Sequence, residues 1–286
     1  MKHLTLFVIV VVSITTTLHS QQDSATQDTL KFWKLAGIVS LNFSQTQFSD
    51  NWQAGGESSV AGLGLFHYSA KYKKDKTTWE NIFDVKYGLT QQQNKSPRKN
   101  DDNFEITSKY GYKAFENWYY SAGLDFKTQM TKGYKDGDPD STVISKLLAP
   151  AYILISIGMN YEPNDKFSLV ISPITGKITL VNDNTLSQEG RFGVKPGEKA
   201  RFEFGGSLVT SVSKEILKSV TFNSKLGLFY NYLDIPQVDV NWNILVNMKI
   251  NNFLSTNLIT ELIYDKDQID EVQFKEIIGV GLTYTF

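Results

Sequence analysis

The last nine residues of this chain constrain its fold more than any other segment. Ile278, Val280, Leu282, Tyr284 and Phe286 are apolar or aromatic, and small or polar residues stand between them. Because side chains alternate between the two faces of a strand, this segment forms a strand with one apolar face and one polar face. An apolar final strand at a sheet edge would invite aggregation, whereas a closed barrel has no edge and can turn its apolar face to lipid. The pattern therefore predicts the closing strand of a membrane β-barrel.

This ending also resembles the C-terminal strand of Gram-negative outer-membrane β-barrels. In those proteins a terminal Phe with alternating apolar residues marks the chain for the assembly machinery. The resemblance implies that Tyr284 and Phe286 are the assembly signal. It also implies two partners, the barrel-assembly machinery and the lipid of the outer membrane.

The N-terminus predicts secretion. Lys2 and His3 precede the apolar run from Leu4 to Val12, and a polar stretch ends at Ser20. This order is typical of a secretory signal peptide, here residues 1–20. We expect a short periplasmic segment over 21–33 and the barrel over 34–286. The chain contains no Cys, which excludes disulfides and a lipid anchor, and its formal charge of -1 excludes a nucleic-acid footprint.

Alternation with a period of two recurs along the whole chain. It predicts an all-β fold, an antiparallel up-and-down transmembrane β-barrel of about 12 strands. The connections after even-numbered segments are short and those after odd-numbered segments are mostly longer, as in transmembrane barrels. The longest connection is predicted at 172–199. The alternating segments are 35–43, 62–72, 79–89, 104–112, 118–126, 151–161, 167–171, 202–208, 220–230, 238–250, 254–264 and 278–286.

The same alternation assigns charged residues to the barrel interior. Acids and bases occur there in nearly equal numbers, whereas a selective ion pore carries rings of one sign. In a lumen as narrow as about twelve strands would give, we expect these charges to pair across the interior. The predicted network contains Glu80, Asp84, Lys86, Glu105, Lys109, Lys113, Asp125, Lys127, Arg201, Glu203, Lys225, Asp239, Lys249, Glu261 and Lys275.

Two weaker patterns point to chemistry. His67 and Ser69 share one face of a strand, a spacing that resembles outer-membrane phospholipase A, a twelve-stranded barrel that uses a Ser-His-Asn arrangement with calcium. In that interpretation His67 is the base and Ser69 the nucleophile. However, the alternation turns both residues inward, whereas the phospholipase pair faces lipid. The alternative is a lumen His beside a hydroxyl.

Acids at alternate positions in two loops could supply oxygen ligands for calcium. These candidates are Asp136, Asp138 and Asp140 in one loop, and Asp265 and Asp267 in another. Neither run has the full EF-hand spacing, and solvated surface acids are the alternative interpretation. No cofactor is predicted.

With these features placed, the chain resembles an uncharacterised family of Gram-negative outer-membrane β-barrel proteins that is catalogued as a domain of unknown function. The resemblance implies the barrel and the outer-membrane location, and brings no catalytic residue, substrate or cofactor. It rests on segments at 41–45, 51–52, 55–56, 172–173, 175–177, 192–194, 228–229, 231–232, 239–240, 242, 264–265, 273–276 and 279–281.

The sequence therefore predicts an integral outer-membrane barrel without enzymatic activity. We expect a structural protein or a narrow pore for passive passage of small solutes. A calcium-dependent lipid hydrolase and surface recognition through the long loops are the alternatives. The oligomeric state is left open.

Overall fold

A computed structural model describes residues 32–49, 53, 56–135, 141–233 and 238–286. Residues Trp33–Phe286 form one compact unit. The predicted signal peptide, most of the predicted periplasmic segment, and the calcium candidates Asp136, Asp138 and Asp140 lie outside the described residues. Their predictions are unchanged.

Twelve antiparallel strands close into a barrel, which confirms the predicted fold. Each barrel strand pairs with its neighbours along the chain, and β1 pairs with β14 to close the ring. A two-stranded hairpin, β6–β7, lies between β5 and β8. The strands are β1 Trp33–Thr46, β2 Ser59–Lys74, β3 Thr77–Gln92, β4 Arg98–Phe115, β5 Trp118–Thr128, β6 Gly133–Tyr134, β7 Val143–Ser145, β8 Ala151–Asn164, β9 Phe167–Leu180, β10 Ala200–Leu217, β11 Val220–Asn231, β12 Val238–Lys249, β13 Leu254–Asp265 and β14 Ile269–Thr285.

Helices are few among the residues that the structure describes. A short helix, α1 (Asn184–Gln188), and a 3-10 turn, Arg191–Gly193, lie between β9 and β10. Among the described residues, no helix is long and apolar enough to cross a membrane.

The outer wall of the barrel is apolar. In β14, the exposed fractions of Ile278, Val280 and Leu282 are 61%, 47% and 56%. Ile155 and Ile157 of β8 are equally exposed on another part of the wall. Such a continuous apolar surface is stable when it faces lipid, so the barrel is transmembrane.

Aromatic rings bind neighbouring strands together on this outer face. Phe66, Phe83, Phe104 and Phe126 come from four consecutive barrel strands, and their successive ring centroids are 5.8, 5.2 and 6.2 Å apart. Each contact is edge-to-face, the geometry that aromatic pairs favour. The row therefore adds side-chain contacts to the backbone pairing of β2 to β5.

The two ends of the barrel differ in their connections. At one end, here called the turn end, adjacent strands are joined by 75–76, 116–117, 165–166, 218–219 and 250–253. The other end, the loop end, carries 47–58, 93–97, 129–150, 181–199, 232–237 and 266–268. The predicted alternation of short and long connections holds except at 266–268. This connection is short because β13 and β14 extend further than their apolar residues indicated.

The prediction that a loop begins at Ser172 was wrong, because β9 continues to Leu180. Pro173 lacks a backbone N–H, and the pairing with β10 shifts register between Gly205 and Ser207. Beyond this bulge the strand resumes its alternation. The extension buries Thr175 and Lys177 in the lumen, with exposed fractions of 0% and 6%.

The seam between β1 and β14 is short. Its paired residues run from Ile38 opposite Thr285 to Phe43 opposite Val280, and Phe286 adds two hydrogen bonds with the backbone of Gly37. By contrast, β1 and β2 pair along the whole of β1. Behind the seam, inside the barrel, buried polar side chains form a hydrogen-bonded cluster, here called the seam network. Its members are Ser40, Asn42, Ser255, Asn257 and Thr283.

Candidate functional site: a two-chamber lumen

Two chambers lie one above the other in the lumen formed by the described residues. The loop-end chamber has a volume of about 460 Å³ and the turn-end chamber about 540 Å³. Both volumes lie within the range of small-molecule sites. The chambers meet at a waist whose lining residues belong to both. These residues are Asp125, Leu154, Ser207, Val209, Lys225 and Asn243.

Ion pairs cross the lumen at the waist and in the loop-end chamber. Lys225 Nζ of β11 lies 2.9 Å from Glu105 Oε1 of β4. Lys127 Nζ of β5 lies 3.4 Å from Glu261 Oε1 of β13. In the ring, β10, β9, β8 and β5 separate β11 from β4, so these contacts join opposite walls. Four of the predicted network residues, Glu105, Lys127, Lys225 and Glu261, are thus brought together across the interior.

Lys275 adds a third cation to these cross-lumen ion pairs, on the side nearer the loop end. Lys275 Nζ lies 2.7 Å from Glu261 Oε2 and 3.2 Å from Asp101 Oδ1. Glu261 is therefore shared by Lys127 and Lys275, and β4, β5, β13 and β14 are connected through the lumen. Because Asp101 is buried, Lys275 compensates a carboxylate that would otherwise be costly to desolvate.

The turn-end chamber has its own charge pairs. Lys71 of β2 contacts Glu162 of β8, and Lys109 Nζ lies 2.9 Å from Glu80 Oε2 on the adjacent strand. Lys86 also lines this chamber. The chamber wall is otherwise rich in hydroxyl and amide groups. Most of its charge is therefore balanced locally, and the rest of the wall combines these polar groups with apolar side chains such as Leu65, Ile82 and Leu245.

The most enclosed cation of the loop-end chamber is Lys177. Its Nζ lies 2.5 Å from Asp239 Oδ2, and 3.5 Å from both Glu203 Oε2 and Asp265 Oδ2. It also lies 5.4 Å from the centre of the Phe229 ring. Sequence reasoning missed Lys177 because it fell in the predicted loop. The alternation of polar Thr175, Lys177 and Thr179 after Pro173 was the pattern that could have revealed it.

The loop 181–199 covers part of the loop-end chamber. Phe192 lines the chamber and has a left-handed backbone conformation, with φ of 59°. Val181, Leu186 and Val194 of the loop bury their side chains with Ala149, and Phe192 packs against this small core. The loop is therefore held by its own apolar contacts.

Polar contacts also hold this loop. Asp183 caps α1 by accepting a hydrogen bond from the Leu186 N–H, and Lys146 Nζ lies 2.5 Å from Asp183 Oδ2. The hydrogen bonds from Lys146 and Leu186 hold the pKa of Asp183 below its usual range.

Beside this loop, Arg201 at the start of β10 contacts Asp267 in the connection 266–268 and Glu203 on its own strand.

The residues of the hydrolase hypothesis line the turn-end chamber. His67 Nδ1 lies 2.7 Å from Asp84 Oδ1 on the neighbouring strand. The Ser69 hydroxyl donates to the backbone carbonyl of Ala36 at 3.4 Å. Both side chains therefore face the lumen and engage groups other than each other. Asp125, from the predicted network, accepts a hydrogen bond from Thr107 at 2.7 Å.

The two described calcium candidates are engaged by cations of the chain. Asp265 lies within the Lys177 cluster and also accepts hydrogen bonds from the Asp267 N–H and the Gln268 side chain. Asp267 contacts Arg201. Within the described part of the chain, no group of three or more His, Cys, Asp or Glu side chains could hold a metal ion.

Three solved structures of similar shape are distant in sequence. An outer membrane channel from Pseudomonas putida F1 has 13% identity and a TM-score of 0.40, with 88% of this chain and 94% of that chain covered. The translocator domain of an autotransporter from Neisseria meningitidis has 11% identity and a TM-score of 0.37, with coverage of 92% and 93%. Outer membrane phospholipase A from Escherichia coli has 11% identity and a TM-score of 0.38, with coverage of 87% and 89%. At these values the likenesses add nothing to what the strand pairing shows.

A family model gives the remaining comparison. None of the curated proteins compared with the chain matches it. Residues 43–134, from the end of β1 to β6, match a family described as "Protein of unknown function (DUF3078)". Over these residues the chain is similar to that family, and the predicted resemblance to an uncharacterised family is confirmed.

Proposed function

We propose that this protein is a narrow pore of the Gram-negative outer membrane that passes small hydrophilic solutes and is nearly closed at rest. The observation that carries the proposal is the waist, where two chambers share their lining residues and the Lys225–Glu105 ion pair crosses between opposite walls. Solutes would enter one chamber and reach the other only past this pair.

The chamber walls support passage of small polar solutes with little preference for charge sign. Ser156, Ser168 and Ser211 are among the hydroxyl groups of the turn-end chamber. Cations and carboxylates are paired along the lumen, so neither sign forms the ring that a selective ion pore requires. The modest chamber volumes exclude large solutes.

The alternatives receive less support. Hydrolysis needs a nucleophile in contact with its base, and the Ser69 hydroxyl donates to a backbone carbonyl. Surface recognition through the loops does not require solutes to cross the lumen. The conductance experiment below therefore distinguishes recognition from solute passage.

The proposal also includes the route to the membrane. A signal peptide would deliver the chain, and the barrel-assembly machinery would insert it through Tyr284 and Phe286.

Planar-bilayer conductance and liposome swelling test the proposal. We expect small or no steady conductance from the unmodified protein, with little preference between cations and anions. Changing Lys109, Lys127 and Lys225 together to Gln should raise conductance and favour cations, because carboxylates then remain without partners. Lys34→Gln is the matched control, since Lys34 pairs with Asp165 in an exposed contact at the turn end.

Two results would overturn the proposal. A large, stable, open pore in the unmodified protein would indicate a general porin. A triple variant that folds, as judged by its heat-dependent gel mobility, yet shows the conductance of the Lys34→Gln control would show that the ion pairs are not the barrier.

A further inference from the structure

At the loop end, β14 has an open backbone edge. Its residues pair with β1 only from Val280 onward, although β1 continues through Ser44 to Thr46. Among the described residues, Ile269 and the stretch Gln273–Gly279 pair with β13 alone. Every residue from Ile269 to Phe274 is exposed, so both faces of the strand are accessible there.

The direction of the unpaired groups follows from the hydrogen bonds lower in the strand. Phe286 exchanges backbone hydrogen bonds with Gly37 of β1, whereas the Thr283 N–H donates to Phe253, on the β13 side. Successive residues of a strand point their N–H groups to opposite sides, so even-numbered residues face β1. The backbone N–H and C=O groups of Phe274, Glu276 and Ile278 therefore point toward the gap.

The open edge begins near the upper boundary of the apolar wall. A tilted strand rises roughly 25 Å over ten residues, about the height of the apolar band of an outer-membrane barrel. Measured from Phe286, this distance ends near Glu276, whose charged side chain is exposed. Unpaired backbone groups are excluded from hydrocarbon, so most of this edge belongs outside it.

The edge is acidic. Asp270, Glu271 and Glu276 are exposed along it. The one base in the same stretch, Lys275, has its ammonium group in the lumen with Asp101 and Glu261, so it does not neutralise the edge. Two copies of this strand placed edge to edge would bring like charges together, which is unfavourable.

We propose that the open edge of β14 binds a basic, extended polypeptide segment of another protein as an added strand. Main-chain hydrogen bonds to the even-numbered residues would supply affinity, and the acidic side chains would select a basic partner. This inference does not depend on passage of solutes through the lumen.

A labelled peptide of five Lys-Val repeats is the probe, and fluorescence anisotropy with the purified full-length protein in detergent is the measurement. A peptide of the same sequence with every second residue N-methylated keeps the charge but loses backbone donors. A peptide of Glu-Val repeats reverses the charge. We expect the N-methylated peptide to bind at least about tenfold more weakly, as loss of one or more hydrogen bonds predicts, and the acidic peptide not to bind.

Substitutions in β14 locate the site. Glu276→Pro removes an N–H on the gap side and leaves the β13 side paired, which an edge strand tolerates. It should weaken binding of the Lys-Val peptide by about tenfold or more, whereas Glu276→Gln, which keeps the N–H, should weaken it less. Phe274→Pro provides the same test at a second position if Glu276→Pro does not assemble.

Several outcomes would overturn the inference. Equal binding of the Lys-Val and N-methylated peptides would reduce it to charge attraction alone. Equal binding to the folded Glu276→Pro or Phe274→Pro variants, or no binding of the Lys-Val peptide to the unmodified protein, would remove the site. A dimer detected by light scattering and abolished by Glu276→Pro would assign the edge to a second copy instead.

Discussion

Asn257 of β13 donates a hydrogen bond to Asn42 of β1 at 2.8 Å, reaching past β14, which lies between the two strands. The Asn257 amide group also lies near Ser40 and accepts a hydrogen bond from Asn247 at 2.6 Å. These side chains connect β1, β12 and β13 behind the seam, where the backbone pairing of β1 with β14 is shorter than that of β1 with β2. The seam therefore depends on side-chain hydrogen bonds more than the neighbouring strand pairs do.

Replacing Asn257 by Leu should weaken barrel closure. The change removes the hydrogen bonds that Asn257 makes with Asn42 Oδ1 and Asn247 Nδ2, and an unsatisfied buried polar group costs roughly 1 to 3 kcal/mol. Urea titration of the protein in lipid vesicles measures the loss. Asn223→Leu is the matched control, because Asn223 also faces the lumen but its side chain accepts a hydrogen bond from exposed Ser213, directly opposite on the adjacent strand β10. Equal losses at the two positions would contradict a special role for the seam network.

The lipid face predicts a second difference. On β12, Ile244 lies on the same face as Trp242, which is 40% exposed. Asn243 lies on the opposite face, where it lines both chambers. Arg at Ile244 should cost roughly 2 to 4 kcal/mol if the position lies at the membrane midplane, and Arg at Asn243 should cost much less. The same urea titration compares the two. Equal costs would mean that the strand faces are assigned in the wrong order.

The final residue fits against a glycine on the first strand. A Cβ atom at Gly37 would lie only 2.2 Å from Phe286 Cζ, so the aromatic ring occupies the space that a side chain would fill. Deletion of Phe286, Phe286→Asp and Gly37→Leu should each lower the amount of assembled barrel. Heat-dependent gel mobility of outer-membrane fractions measures this. Normal assembly of Gly37→Leu would show that the ring contact is dispensable.

Lys177 should be required for stability. Lys177→Met leaves Glu203, Asp239 and Asp265 without their shared cation, and removing one partner of a buried ion pair costs roughly 3 to 5 kcal/mol. Adding Asp239→Asn to this variant should recover part of the loss, because one of the stranded charges is removed. Urea titration of both variants provides the comparison. A double variant less stable than Lys177→Met would argue against electrostatic repulsion as the cause.

The loop 181–199 should loosen in acid. The folded pKa of Asp183 is below its ordinary value of about 4, so its stabilising effect is fully present above that value and is lost as the pH falls through the lower folded pKa. The native chain has no Cys, which makes a spin label on Gln188→Cys specific. Label mobility should rise only below about pH 4 in otherwise native protein, and should be high at neutral pH when Asp183→Asn is added. A pH profile unchanged by Asp183→Asn would assign the transition to another group.

The sequence was sufficient for the barrel because a strand that faces lipid on one side and the lumen on the other must alternate. Each of the twelve predicted segments falls on a different barrel strand, and only Ile250 and Phe286 lie beyond a strand end. The second half of β9 was missed because Pro173 interrupts the alternation with a bulge, and a one-residue irregularity cannot be told from a strand end without its partner strands.

The pairing within the lumen was beyond the reach of periodicity. Alternation places Lys225 and Glu105 inside the barrel, but their contact depends on the diameter of the ring and on the relative heights of β11 and β4. The Asn42–Asn257 hydrogen bond depends in the same way on a seam between the first and last strands. The local sequence pattern of a strand does not specify either of these contacts between distant strands.

The seam network also sets the order in which the chain can become stable. Ser40 and Thr283, which contact each other at 3.0 Å, are 243 residues apart in the chain. Contacts of such long range carry the largest entropic cost of loop closure and form late. Until β14 is in place, the growing sheet has two free edges, and hydrocarbon does not tolerate unpaired backbone. The smallest part of this protein that is stable in a bilayer is therefore the complete ring. Synthesis of the chain must be finished before insertion of the barrel can be completed.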